Sequence, residues 1–360
     1  MSIKRRFNAG VPQDSDHFVD EDGNFDIVRF ILQTTHEIWD EKNFDRIHDY
    51  FAKDFISYGA QGREFGDLNE LYKYALTRTA AFPDTRVFVD DLLWTGDEER
   101  GFKTSHSFTV TATNTGESRY GEPTDKRLRL TGIANCKVEK IDGEWKYTEE
   151  RAEDDQFAIL RACTPGETGP YPELPDQTSD AKSATDSEST DESADGDSSD
   201  DSASAASDPA TEASVEVSTD GFDPAAYLRE LTRQIWNERS IGAIEDYYAE
   251  DVVVEAASGR SLRDVTALRD DVLQRQAAFP DLELTVEDLM VVEEDGGYNS
   301  SVAYRVSATH DGPSRYGNAS GQPVTYTGIV NRKIRNVGGE WRVVKVREDF
   351  DERRLMRQLR

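Results

Sequence analysis

Two carboxylates, Asp155 and Asp351, stand at matching places near the ends of two similar stretches of chain. Each follows a strand-like run and precedes a short apolar segment. An arginine, Arg151 or Arg347, lies four residues earlier in each case. Strand periodicity puts Arg347, Asp349 and Asp351 on one face. A guanidinium within a few ångströms would hold such an Asp ionised and weaken it as a base; it could equally clamp an anionic substrate. An Asp opening a terminal helix also has a sufficient structural reason, as an N-cap. His310 beside a turn reads either as a solvated residue or as an acid/base group. Asn135 and Asn331, mid-strand beside apolar runs, read as satisfied amides or substrate donors. Trp39 and Trp236, with Tyr50 and Tyr247, read as core residues or pocket walls. No His or Cys group has metal-ligand spacing, and neither a Gly-rich phosphate loop nor a Ser-His-Asp arrangement can be assembled. No metal or cofactor is expected.

The elements that must position these residues come in two sets, because the chain repeats itself. Trp39 to Leu92 aligns without a gap with Trp236 to Leu289, and 22 of 54 positions are identical. Beyond that block Ser118-Arg119-Tyr120-Gly121 meets Ser314-Arg315-Tyr316-Gly317, and Gly143-Glu144-Trp145 meets Gly339-Glu340-Trp341, one residue out of the earlier register. A single deletion between the blocks, in a strand-to-strand turn, accounts for the shift. Within each copy helices come first and strands later. Phe30, Ile31, Ile38 and Trp39 form a helical stripe, and a short second helix holds Ile47, Tyr50 and Phe51. A third runs from an Asp67 N-cap to Pro83, and in the second copy from Asp264 to Pro280. Strands are expected over Arg86–Trp94, Thr104–Thr113, Leu128–Glu139 and Trp145–Arg151, with hairpin turns such as Asp142-Gly143. Helices followed by an antiparallel sheet mean α+β, and a curved sheet wrapped round helices leaves a cone with an apolar pocket.

The expected organisation is a disordered segment over 1–24, one domain over 25–163, an acidic Ser/Asp-rich linker over 164–221 and a second domain over 222–360. The linker is too polar to bury a core, and as a coil it would span about 40 Å, enough for the domains to meet. The formal net charge is −30, from 72 acidic and 42 basic residues. That balance argues against nucleic acid and anionic membrane surfaces as partners. An acidic, Lys-poor chain is typical of proteins adapted to molar salt, where carboxylate repulsion is screened within about 3 Å. Only Cys136 and Cys163 are present, which suits a reducing cytoplasm. The basic Lys4-Arg5-Arg6 is followed by a polar stretch and does not read as a secretory signal. No apolar run is long enough to span a membrane as a helix.

Ile235-Trp236-Asn237-Glu238, Ala278-Phe279-Pro280-Asp281, Thr309-His310-Asp311-Gly312, Thr327-Gly328-Ile329 and the ending Asp351 with Leu355-Met356-Arg357-Gln358-Leu359 together resemble the SnoaL-like polyketide cyclases of the NTF2-like superfamily. The resemblance covers nearly all of both copies. It implies two cone-shaped domains that pair within the chain as a pseudo-dimer. It also implies cofactor-free cyclase or isomerase chemistry on a small, mostly apolar carbonyl compound. The family's Asp lies four residues before the paired apolar residues of its closing segment, which Asp155 and Asp351 match. It takes a proton between two carbonyls, and His310 matches the Thr-His-x-Gly position as an auxiliary. The first copy departs, with Asn114 in place of His310 and Cys163 closing its last helix, so activity is expected mainly in the second copy. There the pocket would include Trp236, Tyr247, Asn331 and Arg347, and in the first copy Trp39, Tyr50, Asn135 and Arg151. A non-catalytic ligand-binding or association module is the rival reading, and an epoxide-hydrolase-like activity a third.

Overall fold

The computed structural model describes residues 18–59, 63–65, 67–118, 121–164 and 221–359; almost all of the expected linker and most of the expected N-terminal segment lie outside them. In the first copy α1 (Ile27–Thr35) runs into a π-helical turn (His36–Asp40). Then follow α2 (Ile47–Tyr50), β1 (Phe51–Gly59), β2 (Arg63–Phe65), α3 (Leu68–Ala81), β3 (Arg86–Asp97), β4 (Gly101–Thr113), β5 (Arg127–Ile141), β6 (Glu144–Asp154) and α4 (Gln156–Cys163). The second copy repeats this order with α5 (Pro224–Thr232), α6 (Ile244–Tyr247), β7 (Tyr248–Ala256), β8 (Arg260–Leu262) and α7 (Val265–Ala278). It continues through β9 (Glu283–Glu294), β10 (Gly297–Thr309), β11 (Pro323–Val337), β12 (Glu340–Phe350) and α8 (Glu352–Gln358). The fold is α+β in both, with sheet orders β2-β1-β6-β5-β4-β3 and β8-β7-β12-β11-β10-β9.

Local chemistry sets the boundaries. Asp67 accepts the Glu70 amide at 2.9 Å and Asp264 the Ala267 amide at 2.7 Å, capping α3 and α7, and each helix ends just before an X-Pro step. The β5–β6 hairpin turns on Asp142 (φ 53°) and Gly143 (φ 90°), both in the left-handed region a type I′ turn requires. The one-residue deletion falls between β3 and β4, where Glu98-Glu99-Arg100 is shortened to Asp295-Gly296 between β9 and β10. The strand legible least from the sequence is β1, with its counterpart β7. It follows a single helical turn without a punctuating residue, and a register shift between Phe51 and Ile56 breaks its alternation. It pairs parallel to β6, and β7 parallel to β12.

The two sheets pack on each other by one face while their other faces line the cones. Thr104, Ser105, His106 and Ser107 are consequently all buried: alternation sends His106 to the cone and Ser105 to the facing sheet. A small apolar centre of Ile133, Ala303 and Ile329 lies between the sheets, ringed by reciprocal polar pairs. Asn135 exchanges hydrogen bonds with Ser301 at 3.0 and 3.1 Å, and Asn331 does the same with Ser105 at 3.0 and 3.2 Å. Arg151 reaches Glu287 at 2.6 Å while Arg347 reaches Asp90 at 3.1 Å. Thr327 donates to Glu153 at 2.6 Å while Thr131 donates to Asp349 at 3.4 Å. Each pair occupies the repeat-equivalent positions of the other, which is the signature of an isologous interface. Among the described residues no helix is long and apolar enough to cross a membrane.

Glu153 and Asp349 are buried at this interface. Desolvation raises both carboxyls well above their ordinary range, and repulsion adds to it, mainly from Asp351 for Glu153 and from Asp155 for Asp349, whereas Arg347 opposes the rise in Asp349. Folding therefore favours their protonated forms, so their stabilising contribution is present at acid pH and is lost as pH rises through the folded values. The double variant Glu153→Gln/Asp349→Asn should match the parent's thermal midpoint near pH 3.5, below the ordinary carboxyl values, and exceed it increasingly up to pH 8. Parallel midpoint-versus-pH curves would contradict that assignment.

Candidate functional site

A cavity of about 620 Å³ opens in the cone of the first domain. It divides that domain's apolar core into two clusters, whereas the second domain's core is one continuous cluster. Its walls come from α1 and the turn after it, with Thr34, Ile38 and Trp39, from α3, and from the concave faces of β4, β5 and β6. On β6 a bulge after Tyr147 resets the alternation, so that Tyr147, Glu150, Ala152 and Asp154 all line it.

Glu150 is the chemically notable wall residue. Burial pushes its carboxyl up to about 7, and its stabilising contact is the Ser57 hydroxyl at 3.4 Å, which lowers it only slightly. His106 on β4 also lines the cavity. It is buried, its Nδ1 has no hydrogen-bond partner, and desolvation lowers its pKa to about 4. At neutral pH the imidazole is therefore uncharged while the carboxyl sits at its titration point. In sheet register Cys136 on β5 pairs with Glu150, and Ala134 pairs with both His106 and Ala152. Glu150 and His106 thus stand two strands apart and two residues out of line, about 12 Å between backbones, with the small Ala134, Cys136 and Ala152 between them. At another wall Arg78 donates to Asp154 at 3.2 Å and to the Tyr74 hydroxyl at 2.5 Å. Tyr147 and Thr34 share a hydrogen bond of 2.6 Å.

The second cone is filled at the equivalent places. Val302 stands for His106, Val346 for Glu150, Glu348 for Ala152 and Phe350 for Asp154. Glu348 accepts from the Tyr304 hydroxyl at 2.6 Å and from Arg275 at 3.0 Å, and Arg275 lies over the Trp236 and Phe350 rings at 5.2 and 5.4 Å. Arg275 is the counterpart of Arg78; its carboxylate partner has moved two residues back along the strand, from the position of Asp154 to that of Ala152, closing the cone. A smaller cavity of about 260 Å³ remains against α7 and the Pro313–Tyr316 loop.

The SnoaL-like polyketide cyclase sequence profile matches residues 29–162 and 226–359. The chain belongs to that family. Among solved structures it is similar to a SnoaL-like polyketide cyclase from Agrobacterium tumefaciens, at 18% identity over 38% of this chain and 94% of that one, with a TM-score of 0.29. It is also similar to TsrD from Streptomyces laurentii, at 20% identity over 38% and 97%, with a TM-score of 0.32. No curated protein matches the sequence.

Of the candidate catalytic and pocket residues read from this SnoaL-like sequence, Trp39 alone lines the 620 Å³ cavity. Asp155 and Asp351 cap α4 and α8, accepting from the Ala158 amide at 3.0 Å and the Arg354 amide at 2.9 Å. Burial lifts Asp155 to about 6, and Arg161 lies 3.5 Å away. His310 is pinned between the Ser320 and Ser314 hydroxyls at 3.1 and 2.9 Å, against the Phe279 ring. Arg151, Arg347, Asn135 and Asn331 serve the interface between the sheets. Trp236 is core beneath Arg275. Tyr50 donates to Glu37 at 2.5 Å, and Tyr247 packs on the Tyr227 ring. Sequence reading missed Glu150, His106 and the Arg78–Asp154 pair. The available signal was a comparison of the copies, since His106 and Glu150 face valines across the repeat.

Carboxyl-resolved NMR should find Glu150 titrating near pH 7, and the His106 ring should stay neutral down to about pH 5. A Glu150 midpoint near 4.5 would contradict the cavity's assigned polarity. In the second domain Glu348→Ala would leave Arg275 buried with Asp271 as its remaining carboxylate partner, at 3.3 Å. Chemical denaturation should show a loss of about 3 kcal/mol.

Proposed function

We propose that the first domain is the ligand-binding and catalytic half, and that it acts on a small, mostly apolar carbonyl compound as a cyclase or isomerase. The observation that carries this is the coincidence, in one cavity of ligand size, of a carboxyl poised near neutral pH with an uncharged, unpartnered imidazole. The Glu150 carboxylate takes the acidic proton alpha to a carbonyl. The electron pair left behind moves onto the carbonyl oxygen, where an N–H of neutral His106 supports the enolate. Return of the proton to a different carbon gives isomerisation. Attack of the enolate carbon on a second carbonyl of the same molecule forms a ring, and Glu150 returns its proton to the new alkoxide. In this reading Glu150 performs the base chemistry that the family resemblance assigns to Asp155 or Asp351. The second domain supplies the facing sheet, and Ile38, Trp39 and Phe108 provide the apolar walls.

Deuterium wash-in at the alpha carbon of a simple aryl ketone, followed by NMR, tests the chemistry without the natural substrate. The full-length protein should accelerate exchange, and Glu150→Gln should lower the rate by about 100- to 10,000-fold while ligand-induced thermal shift persists. Asp351→Asn should leave exchange near the parent rate. Unchanged exchange in Glu150→Gln, with loss in Asp351→Asn, would move the site to the second domain. Binding without exchange in any form would favour a ligand-binding module.

A further inference from the structure

We infer that the second domain holds a small monovalent anion, of chloride size, between Arg332 and Ser300. These two are direct partners across β11 and β10, so their Cβ atoms stand about 5 Å apart. Strand alternation puts both on the concave face with Tyr298, Val302, Val330 and Ile334, inside the continuous apolar cluster. Asn331 and Ser301, the next residues along, face the other sheet. Arg332 is 6% exposed and Ser300 is fully enclosed. Nε and Nη1 of Arg332 and the Oγ of Ser300 have no hydrogen-bond partner.

A guanidinium buried without a counter-charge costs several kcal/mol, and unsatisfied donors beside it add to that cost. The neighbouring polar groups do not relieve it. The Tyr227 hydroxyl donates to the Tyr247 and Trp341 carbonyls at 2.8 and 3.1 Å. Arg342, a further cation, is engaged by Asp246 and Glu340. A halide meets the requirement: it brings one negative charge, accepts N–H and O–H donors from any direction, and is the smallest common anion able to sit among the packed Tyr298, Val302, Val330 and Ile334 side chains. In the first domain the equivalent residues are Cys136 and Thr104, which carry no cation. The site therefore belongs to the second copy alone and is separate from the proposed catalytic cavity.

The test uses the full-length protein at fixed sodium concentration, with gluconate exchanged for chloride or bromide. The thermal midpoint of the parent should rise by about 2–4 °C in halide, and Arg332→Met should lose that increment. A crystal grown in bromide should show an anomalous peak within hydrogen-bond distance of Arg332. Should Arg332→Met fail to fold, Ser300→Ala should reduce the halide increment while keeping the charge, and the bromide peak requires no variant. Equal increments in the parent and Arg332→Met, or a bromide crystal without density beside Arg332, would overturn the site and leave water as the occupant.

Discussion

The back-to-back packing of the two sheets is the constraint from which the rest of the structure follows. A strand buried on one face alternates apolar and polar residues; here both faces are buried, so position parity decides a residue's role rather than its polarity. On β4, Ser105 serves the facing domain while His106 serves the cone. On β5, Asn135 meets Ser301 across the interface, whereas Ala134 and Cys136 line the cavity. The reciprocal Asn–Ser and Arg–carboxylate pairs satisfy the polar groups that this double burial would otherwise strand. They also fix the register of one copy against the other.

Because the interface uses equivalent residues from both copies, it constrains the two halves alike, and the cones are left to differ. The difference is a handful of substitutions on one face. Where the first domain has His106, Glu150 and Ala152, the second has Val302, Val346 and Glu348. Glu348 draws Arg275 across the cone, with Tyr304 adding a hydroxyl, and the space closes. In the first domain Arg78 is held by Asp154 at the strand's end, and the space remains. One conserved cation position thus opens or fills a cone according to where its carboxylate partner stands.

Much of this architecture was legible in the chain itself. The repeat fixed two domains, Asp67 and Asp264 announced helices by capping chemistry, and Pro83 and Pro280 ended them. Asp142-Gly143 marked a hairpin through the left-handed φ both residues adopt. Asp155 and Asp351 were readable as N-caps, because that role depends only on the next three residues. The shift in repeat register also required a single deletion in a strand-to-strand turn, which the structure places between β3 and β4.

Tertiary structure alone decided the rest. Strands β1 and β7 pair in parallel with distant partners across a register shift, so no local pattern marks them. Asn135 and Asn331 read equally as satisfied amides or substrate donors, and Arg151 and Arg347 as pocket residues, because a single sheet considered alone shows no partner for them. Their partners sit in the other copy, more than a hundred residues away. Glu150 and His106 gain their properties from desolvation, which is a property of the surrounding volume. A sequence names the groups and spaces them along one dimension; only packing in three sets the dielectric that makes one carboxyl titrate near 7 and another remain a helix cap.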